Sequence, residues 1–339
     1  MSAVVVTGGA GYVGSHAVKA LAAAGRDVVV YDDLSAGHTG AVARLAKAFP
    51  ARRITLVRGD IRDRAAVAAA LRASSATAVL HFAARLLVGE SVADPIGYYR
   101  ANVEGSMTLL EAMAETGISC LVFSSTAATF GEPRTVPIDE DHPQDPINPY
   151  GETKLAVERA LGHVERATGI RSVTLRYFNA AGADPEGLIG EDHDPEEHLI
   201  PLVIRAARTG APVTVFGDDY DTPDGTCVRD YVHVADLADA HVSAVAHLEA
   251  GGASRAFNLG NGVGSSVREV IAMVQRHAKR DVPYAIGARR PGDPARLVAS
   301  SSRAERDLNW RRRLSALDSI VGTAWAWHEK HPRGYGDRG

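Results

Sequence analysis

Short apolar runs rich in β-branched residues recur along the first half of the chain, at residues 4–6, 28–31, 54–57, 78–82, 121–124 and 172–176. Each is too short for a helix and reads as a buried strand. Between them, residues 14–24, 64–72, 103–116 and 150–168 repeat apolar positions every three or four residues, which predicts amphipathic helices. Strands alternating with helices imply right-handed crossovers and a parallel sheet covered on both faces. The rhythm loosens after residue 179: residues 180–198 are rich in Gly, Asp, Glu and Pro, and residues 217–228 form a second polar stretch. Long polar loops in a compact chain predict binding elements.

Composition narrows the picture. The chain has 339 residues, 45% hydrophobic and 23% charged, enough for one large domain with a smaller one attached. Thirty-seven Lys and Arg against 41 Asp and Glu give a net charge of -4, which argues against a nucleic-acid partner. Cys120 and Cys227 make no disulfide framework, and no Cys/His spacing resembles a zinc site, so no metal is predicted. The longest Ala-rich stretch, residues 65–84, is broken by Arg72, Ser74, Ser75 and His81, so no membrane partner is expected. Met1-Ser2 lead directly into a strand without a basic and then apolar leader, and a cytoplasmic location is the expectation.

The first strand runs into Thr7-Gly8-Gly9-Ala10-Gly11-Tyr12-Val13-Gly14 before a helical pattern. Glycines at 8, 11 and 14 permit a tight turn, close approach to a pyrophosphate, and close packing of helix on sheet. The helix N-terminus offers free N–H groups and a positive dipole end to phosphates. Strand two ends in Asp32-Asp33, 18 residues past Gly14, where an acid would accept from ribose hydroxyls and repel a 2′-phosphate, favouring NAD over NADP. Asp60-Ile61 end strand three and suit the flank of an adenine ring. Phe82-Ala83-Ala84 end strand four, small enough for a cofactor to lie across them. His81, just before, reads as a packed histidine. These features predict an α/β fold: a Rossmann-type doubly wound parallel sheet with a smaller mixed α/β substrate-binding cap. The predicted domains are residues 1–178 and 179–339, with interleaved elements.

Chemistry gathers at Asn148-Pro149-Tyr150-Gly151-Glu152-Thr153-Lys154, where Tyr150 and Lys154 stand one helical turn apart on one face. Only five of the chain's cations are lysines, so the pair stands out. An ammonium near a phenol favours phenolate, and a positive nicotinamide would favour it further, drawing the phenol toward neutrality as a general base requires. Strand five ends in Ser124-Ser125-Thr126, placing the Thr126 hydroxyl at the sheet's functional edge to bond the same substrate hydroxyl as Tyr150.

The segments TGGAGYVG, SST and YGETK resemble the extended short-chain dehydrogenase/reductase superfamily. Within it the chain resembles the UDP-glucose (UDP-galactose) 4-epimerase family nearly end to end, through GDIRD, HFAA, VGESV, LRYFNAAGA, HLIPLV, FGDDYDTPDGTCVRDYVHVADLADAH, FNLGNGVGSSV and RRPGDPA. The resemblance implies an NAD-dependent isomerase acting through a transient 4-ketose, with Tyr150 as base, Lys154 on the nicotinamide ribose and Thr126 orienting the hydroxyl. It adds Tyr12, Val13, Asn102, Ser124 and Phe178 to the cofactor contacts. For the UDP-sugar it implies Asn179 and Arg229 at the phosphates, Phe216 at the uridine, Arg290 and Asp293 at diphosphate and ribose, and His198, Leu199 and Leu297 around the sugar. A homodimer through the helices at 103–116 and 150–168 is also implied.

Three positions depart from the family pattern: Leu86 where Lys is frequent, Ala101 where some have Asn, and His198 before Leu199 where many have Asn. Leu297 stands where relatives confined to non-acetylated sugars often carry Tyr, which predicts tolerance of UDP-N-acetylhexosamines. Nucleotide-sugar 4,6-dehydratases of the same scaffold place Asp-Glu after the Thr, whereas Ala127-Ala128 follow here. Epimerases of UDP-pentoses or UDP-uronates differ only in pocket lining and stay open as alternatives. A non-catalytic NAD sensor would commonly lose the Tyr or the Lys, and this chain keeps both.

Overall fold

The computed structural model describes residues 3–290 and 293–337. Six strands follow the predicted runs: β1 (Ala3–Thr7), β2 (Asp27–Asp32), β3 (Ile54–Arg58), β4 (Ala76–His81), β5 (Cys120–Thr126) and β6 (Arg171–Tyr177). They form one parallel sheet in the order β6-β5-β4-β1-β2-β3, and a seventh strand, Arg255–Leu259, adds in parallel beyond β6. The strand order reverses between β1 and β4, and a crevice opens at such a switch point beyond the strands' C-terminal ends.

The two-residue alternation of the strands decides which face each side chain serves. Val4 and Val6 of β1, with Val28, Val30 and Leu80, pack against helices Tyr12–Ala23, Thr39–Ala48 and Val234–Glu249. Val5, Val29, Val79 and Phe123 turn the other way, onto Arg64–Ser74, Gly105–Thr116 and Pro149–Thr168. Both faces are therefore covered, as the near-continuous apolar strands anticipated. The α/β fold is the one expected. The predicted helix at 103–116 is α-helical only from Gly105, because residues Tyr99–Glu104 form a wider π-helical turn.

Later elements divide between the two layers. Arg255–Leu259 and Val234–Glu249 join the large sheet, whereas helices Leu199–Thr209, Val267–Ala278 and Leu317–Lys330 build a separate core with Val213, Val215 and Tyr231. That core carries three small sheets: Asn179–Ala181 with Tyr231–His233, Val213–Phe216 with Tyr284–Gly287, and a three-stranded set of Ser265–Ser266, Val228–Arg229 and Arg296–Leu297. Ser266 and Glu269 close a reciprocal capping box at the start of Val267–Ala278. Among the described residues, no helix is long and apolar enough to cross a membrane.

Candidate active site

A cleft of about 1380 Å³ runs along the C-terminal ends of the strands and under the second core. That exceeds the roughly 300–1,000 Å³ usual for one small ligand, so it has room for two. One end is the glycine turn. Gly8 has φ +71, and a Cβ there would lie 2.5 Å from the Ala83 backbone nitrogen. A Cβ on Gly14 would lie 2.2 Å from the Gly8 carbonyl oxygen, whereas one on Gly11 would meet only that oxygen, at 3.4 Å. Gly8 and Gly14 are thus required by packing, and Gly11 keeps the floor of the cleft bare. Gly11 also begins helix Tyr12–Ala23 with no side-chain cap, leaving the first amides facing the cleft that Tyr12, Val13 and Gly14 line. This cradle suits a pyrophosphate.

Asp32 and Asp33 both line the cleft. Asp32 is buried and accepts from the Ala10 and Leu34 amides, each at 2.9 Å, while burial pushes its pKa up against those bonds. It therefore also pins the glycine turn to the end of β2. Asp33 accepts from the Ser35 amide and hydroxyl at 2.8 and 2.6 Å. Asp60 faces the cleft paired with Arg62, whose guanidinium holds the carboxyl below its usual range; Ile61 adjoins it. Phe82, Ala83 and Ala84 form the wall after β4, with Phe82 stacked on His241 at 4.6 Å. His81 is seated between the Thr7 hydroxyl at 2.7 Å and the Ser106 hydroxyl at 2.8 Å, and burial lowers its pKa to about 3.

The local sequence explains why Tyr150 stands where it does. Asn148 caps the helix by accepting from the Gly151 amide at 2.9 Å, and Pro149 takes the first helical position, so Pro149–Thr168 begins with Tyr150 in its first turn. The Tyr150 phenol faces the cleft beside the Thr126 hydroxyl, which favours the phenolate. One turn on, Lys154 is buried, and its Nζ donates to the Ser124 carbonyl at 2.9 Å, 5.0 Å from the Phe123 ring centre. Burial lowers the Lys154 pKa to about 8, opposed by Glu158. The phenol was expected to be drawn toward neutrality. In the chain alone, burial outweighs the Thr126 hydroxyl and pushes Tyr150 up to about 12.

Of the other residues singled out from sequence, Phe178, Asn179, His198, Leu199, Arg290, Asp293 and Leu297 also line the cleft. Leu297 packs beside Ala127, Phe130 and Phe178. Five do not line it. Lys154 and Ser124 sit just behind the wall, the Ser124 hydroxyl bonded to the Tyr177 hydroxyl. Asn102 is fully engaged: it accepts from the Arg85 amide at 2.8 Å and donates to the Arg85 carbonyl and the Thr153 hydroxyl. Arg229 bonds the Val228 carbonyl at 2.8 Å and pairs with Asp293, while Phe216 carries the Arg290 guanidinium 4.0 Å above its ring. Tyr177, Arg62, Arg100, Glu191 and His193 line the cleft without having been singled out. Tyr177 lay unread in the LRYFNAAGA segment, and Glu191 and His193 lay in a loop without periodicity.

With a glycine cradle at one end, a Thr–Tyr–Lys group in the middle and an arginine-bearing wall at the other, the chain as a whole is similar to known proteins. The model of the NAD dependent epimerase/dehydratase family matches residues 4–260. The UDP-glucose 4-epimerase of Halalkalibacterium halodurans is 50% identical over 334 residues, covering 98% of this chain and 97% of its own. The solved UDP-glucose 4-epimerase of Bifidobacterium longum in complex with NAD+ and UDP superposes with TM-score 0.93 at 39% identity, over 98% of this chain and 100% of that one. The UDP-Glc/GlcNAc 4-epimerase of Campylobacter jejuni superposes with TM-score 0.85 at 35% identity, over 97% and 100%. The chain belongs to the NAD dependent epimerase/dehydratase family and, within it, to the UDP-glucose 4-epimerases.

Proposed function

We propose that the chain interconverts UDP-glucose and UDP-galactose by inverting carbon 4 of the sugar. The observation that carries this reading is the juxtaposition of Thr126 and Tyr150 at mid-cleft, with buried Lys154 one helical turn behind it. Residues 8, 11–14, 32, 33, 60, 61 and 82–84 form the wall that would hold NAD. When bound, NAD supplies the hydride acceptor and a positive ring whose field favours the phenolate. Tyr150 then takes the proton of the sugar 4-hydroxyl and later returns it, so no proton is consumed over the cycle. Thr126 fixes that hydroxyl against the phenol. Lys154, held by the Ser124 carbonyl, presents its charge behind the site.

At the other end, Arg290 and Asp293 lie beside Leu297 and Asn179 in the same cleft, which suits a diphosphate and its ribose. Arg229 acts there by holding Asp293. The half-buried Leu297 leaves the sugar subsite wider than a Tyr would, and UDP-N-acetylhexosamines are accepted as second substrates. The test is epimerisation of UDP-galactose and UDP-N-acetylgalactosamine without added NAD, by the native chain and by Leu297→Tyr. Turnover of both by the native chain is expected, with the acetylated rate selectively depressed in the variant. Equal loss on both sugars defeats the pocket argument, and inactivity on both with NAD bound turns the reading to pentose or uronate substrates.

We infer also a homodimer working in the cytoplasm. Helices Val88–Ala93 and Pro95–Tyr98 pack against Pro149–Thr168, and Ile96 of the second is exposed outside the cleft, apolar surface that a second copy would cover. The free thiols Cys120 and Cys227 suit a reducing compartment. Sedimentation at twice the chain mass is expected, and a monomer would overturn it.

A further inference from the structure

Residues 191–198, on the cleft wall, bring together four side chains whose chemistry the epimerisation does not use as a group. Glu191, His193, Glu196 and His198 each offer one ligand atom, and all four atoms lie within 4.8 Å of one another. His193 Nδ1 stands 3.2 Å from Glu191 Oε1 and 3.7 Å from Glu196 Oε2. His198 Nδ1 touches Glu191 Oε1 and stands 3.7 Å from Glu196 Oε1. Both imidazoles thus turn the same nitrogen toward the same two carboxylates. His193 Nδ1 is buried, yet makes no hydrogen bond of proper geometry despite its carboxylate neighbours. The surrounding fold holds the group in place. Trp327 donates to the Glu191 carbonyl at 2.9 Å, and the Tyr12 ring meets His193 edge-on at 6.0 Å.

We propose that Glu191, His193, Glu196 and His198 form a binding site for a divalent transition-metal ion, which braces this stretch of the cleft wall. Two neutral imidazoles and two carboxylates carry two negative charges, which a dication balances. Two nitrogen ligands select zinc-like ions over calcium or magnesium, which prefer all-oxygen shells. A tetrahedron with ligand distances of about 2.1 Å has edges of about 3.4 Å, so the widest pair must close by about 1.4 Å, within reach of side-chain rotation. The ion would tie residue 191 to residue 198 across a loop that has no strand or helix of its own, just before Leu199 enters the cleft.

The test uses tag-free, full-length protein stripped with a chelator and dialysed, with its bound NAD retained. Titration with Co2+ is followed by visible ligand-field absorption and by calorimetry. One Co2+ per chain with the intense absorption of a four-coordinate ion, displaced by Zn2+, is expected. The variant His193→Gln/Glu196→Gln should bind at least ~100-fold more weakly, since even outer-shell changes cost 10–100-fold. NAD content and circular dichroism report whether that variant is folded, and Glu196→Gln alone serves if it is not. Absence of a saturable Co2+ signal in the native chain, or an unchanged affinity in the variants, overturns the proposal and leaves the quartet an ion-pair cluster.

Discussion

Glu158 extends the face that carries Tyr150 and Lys154 by one more turn, and its removal should weaken both the fold and the alkaline limb of activity. Its side chain is 6% exposed and meets the equally buried Arg176 side-on, with Arg176 Nε 3.1 and 3.0 Å from the two carboxylate oxygens and Nη2 at 2.7 Å. The Ser125 hydroxyl and the Gln144 amide donate to the same carboxylate. The carboxylate therefore ties the catalytic helix to the ends of β5 and β6, between Ser124, which holds Lys154, and Thr126, which stands beside Tyr150. Glu158→Gln keeps the size and removes the charge, leaving Arg176 buried without its partner. Breaking a buried pair from one side costs about 3–5 kcal/mol. An unfolding entropy of about 2.1 cal/mol/K per residue over a chain of this length converts that into a fall in Tm of about 4–7 °C. Because Glu158 raises the Lys154 pKa, its loss should also let Lys154 deprotonate below pH 8, moving the alkaline fall of kcat to lower pH. Scanning calorimetry of Glu158→Gln, Arg176→Met and the double variant Glu158→Leu/Arg176→Met, with a pH–rate profile of the first, measures both limbs. The double variant should recover part of either single loss, since an apolar pair strands no charge. Single losses under about 1 kcal/mol that simply add, or an unmoved alkaline limb, would refute the reasoning.

Tyr150→Phe keeps the ring and removes the proton acceptor, so epimerisation should fall about 10²–10⁴-fold while NAD, quantified after denaturation, stays bound; a loss under tenfold contradicts the assignment. Gly14→Ala drives a Cβ to 2.2 Å from the Gly8 carbonyl oxygen, and the purified variant should retain little NAD; native NAD content would show that the turn yields. Acid should destabilise the chain below pH 6.5. Burial lowers His81 to about 3 and His16, His233 and His241 to about 4, so the unfolded chain binds more protons between those values and 6.5. Stability is then lost as pH falls through that window, by up to about 2 kcal/mol per histidine at pH 5. His193, raised to about 10, contributes in full below 6.5 and offsets none of it. A Tm unchanged between pH 7 and pH 5 would contradict this account.

Features written in adjacent residues were legible without coordinates, and features made by burial were not. The alternation of Val4, Val5 and Val6 already separates the two faces of β1, and Asn148-Pro149 already marks the start of the helix that carries Tyr150. The four-residue step to Lys154 already puts both side chains on one face. The sign of the Tyr150 shift depends on something else, namely how much protein closes over the phenol. In the chain alone that desolvation exceeds what the Thr126 hydroxyl returns, while Lys154 spends its proton on the Ser124 carbonyl. Asn102 and Arg229 make the same point. Their side chains suit a phosphate or a ribose, but the fold turns Asn102 onto the Arg85 backbone and Arg229 onto Asp293, so both shape the cleft through a neighbour. The pairing of Arg255–Leu259 with β6 joins residues about eighty positions apart, a separation at which no local pattern points to a partner. The Glu191–His193–Glu196–His198 quartet escaped notice for a related reason: its spacing of two, three and two follows neither helix nor strand, and only the path of the loop brings the four together. The proposed reactive groups, and Glu158 that acts on Lys154, lie on regular elements and are readable by period, whereas the residues that brace the cleft come from loops and distant strands. The latter are where substitutions should alter sugar preference without abolishing turnover.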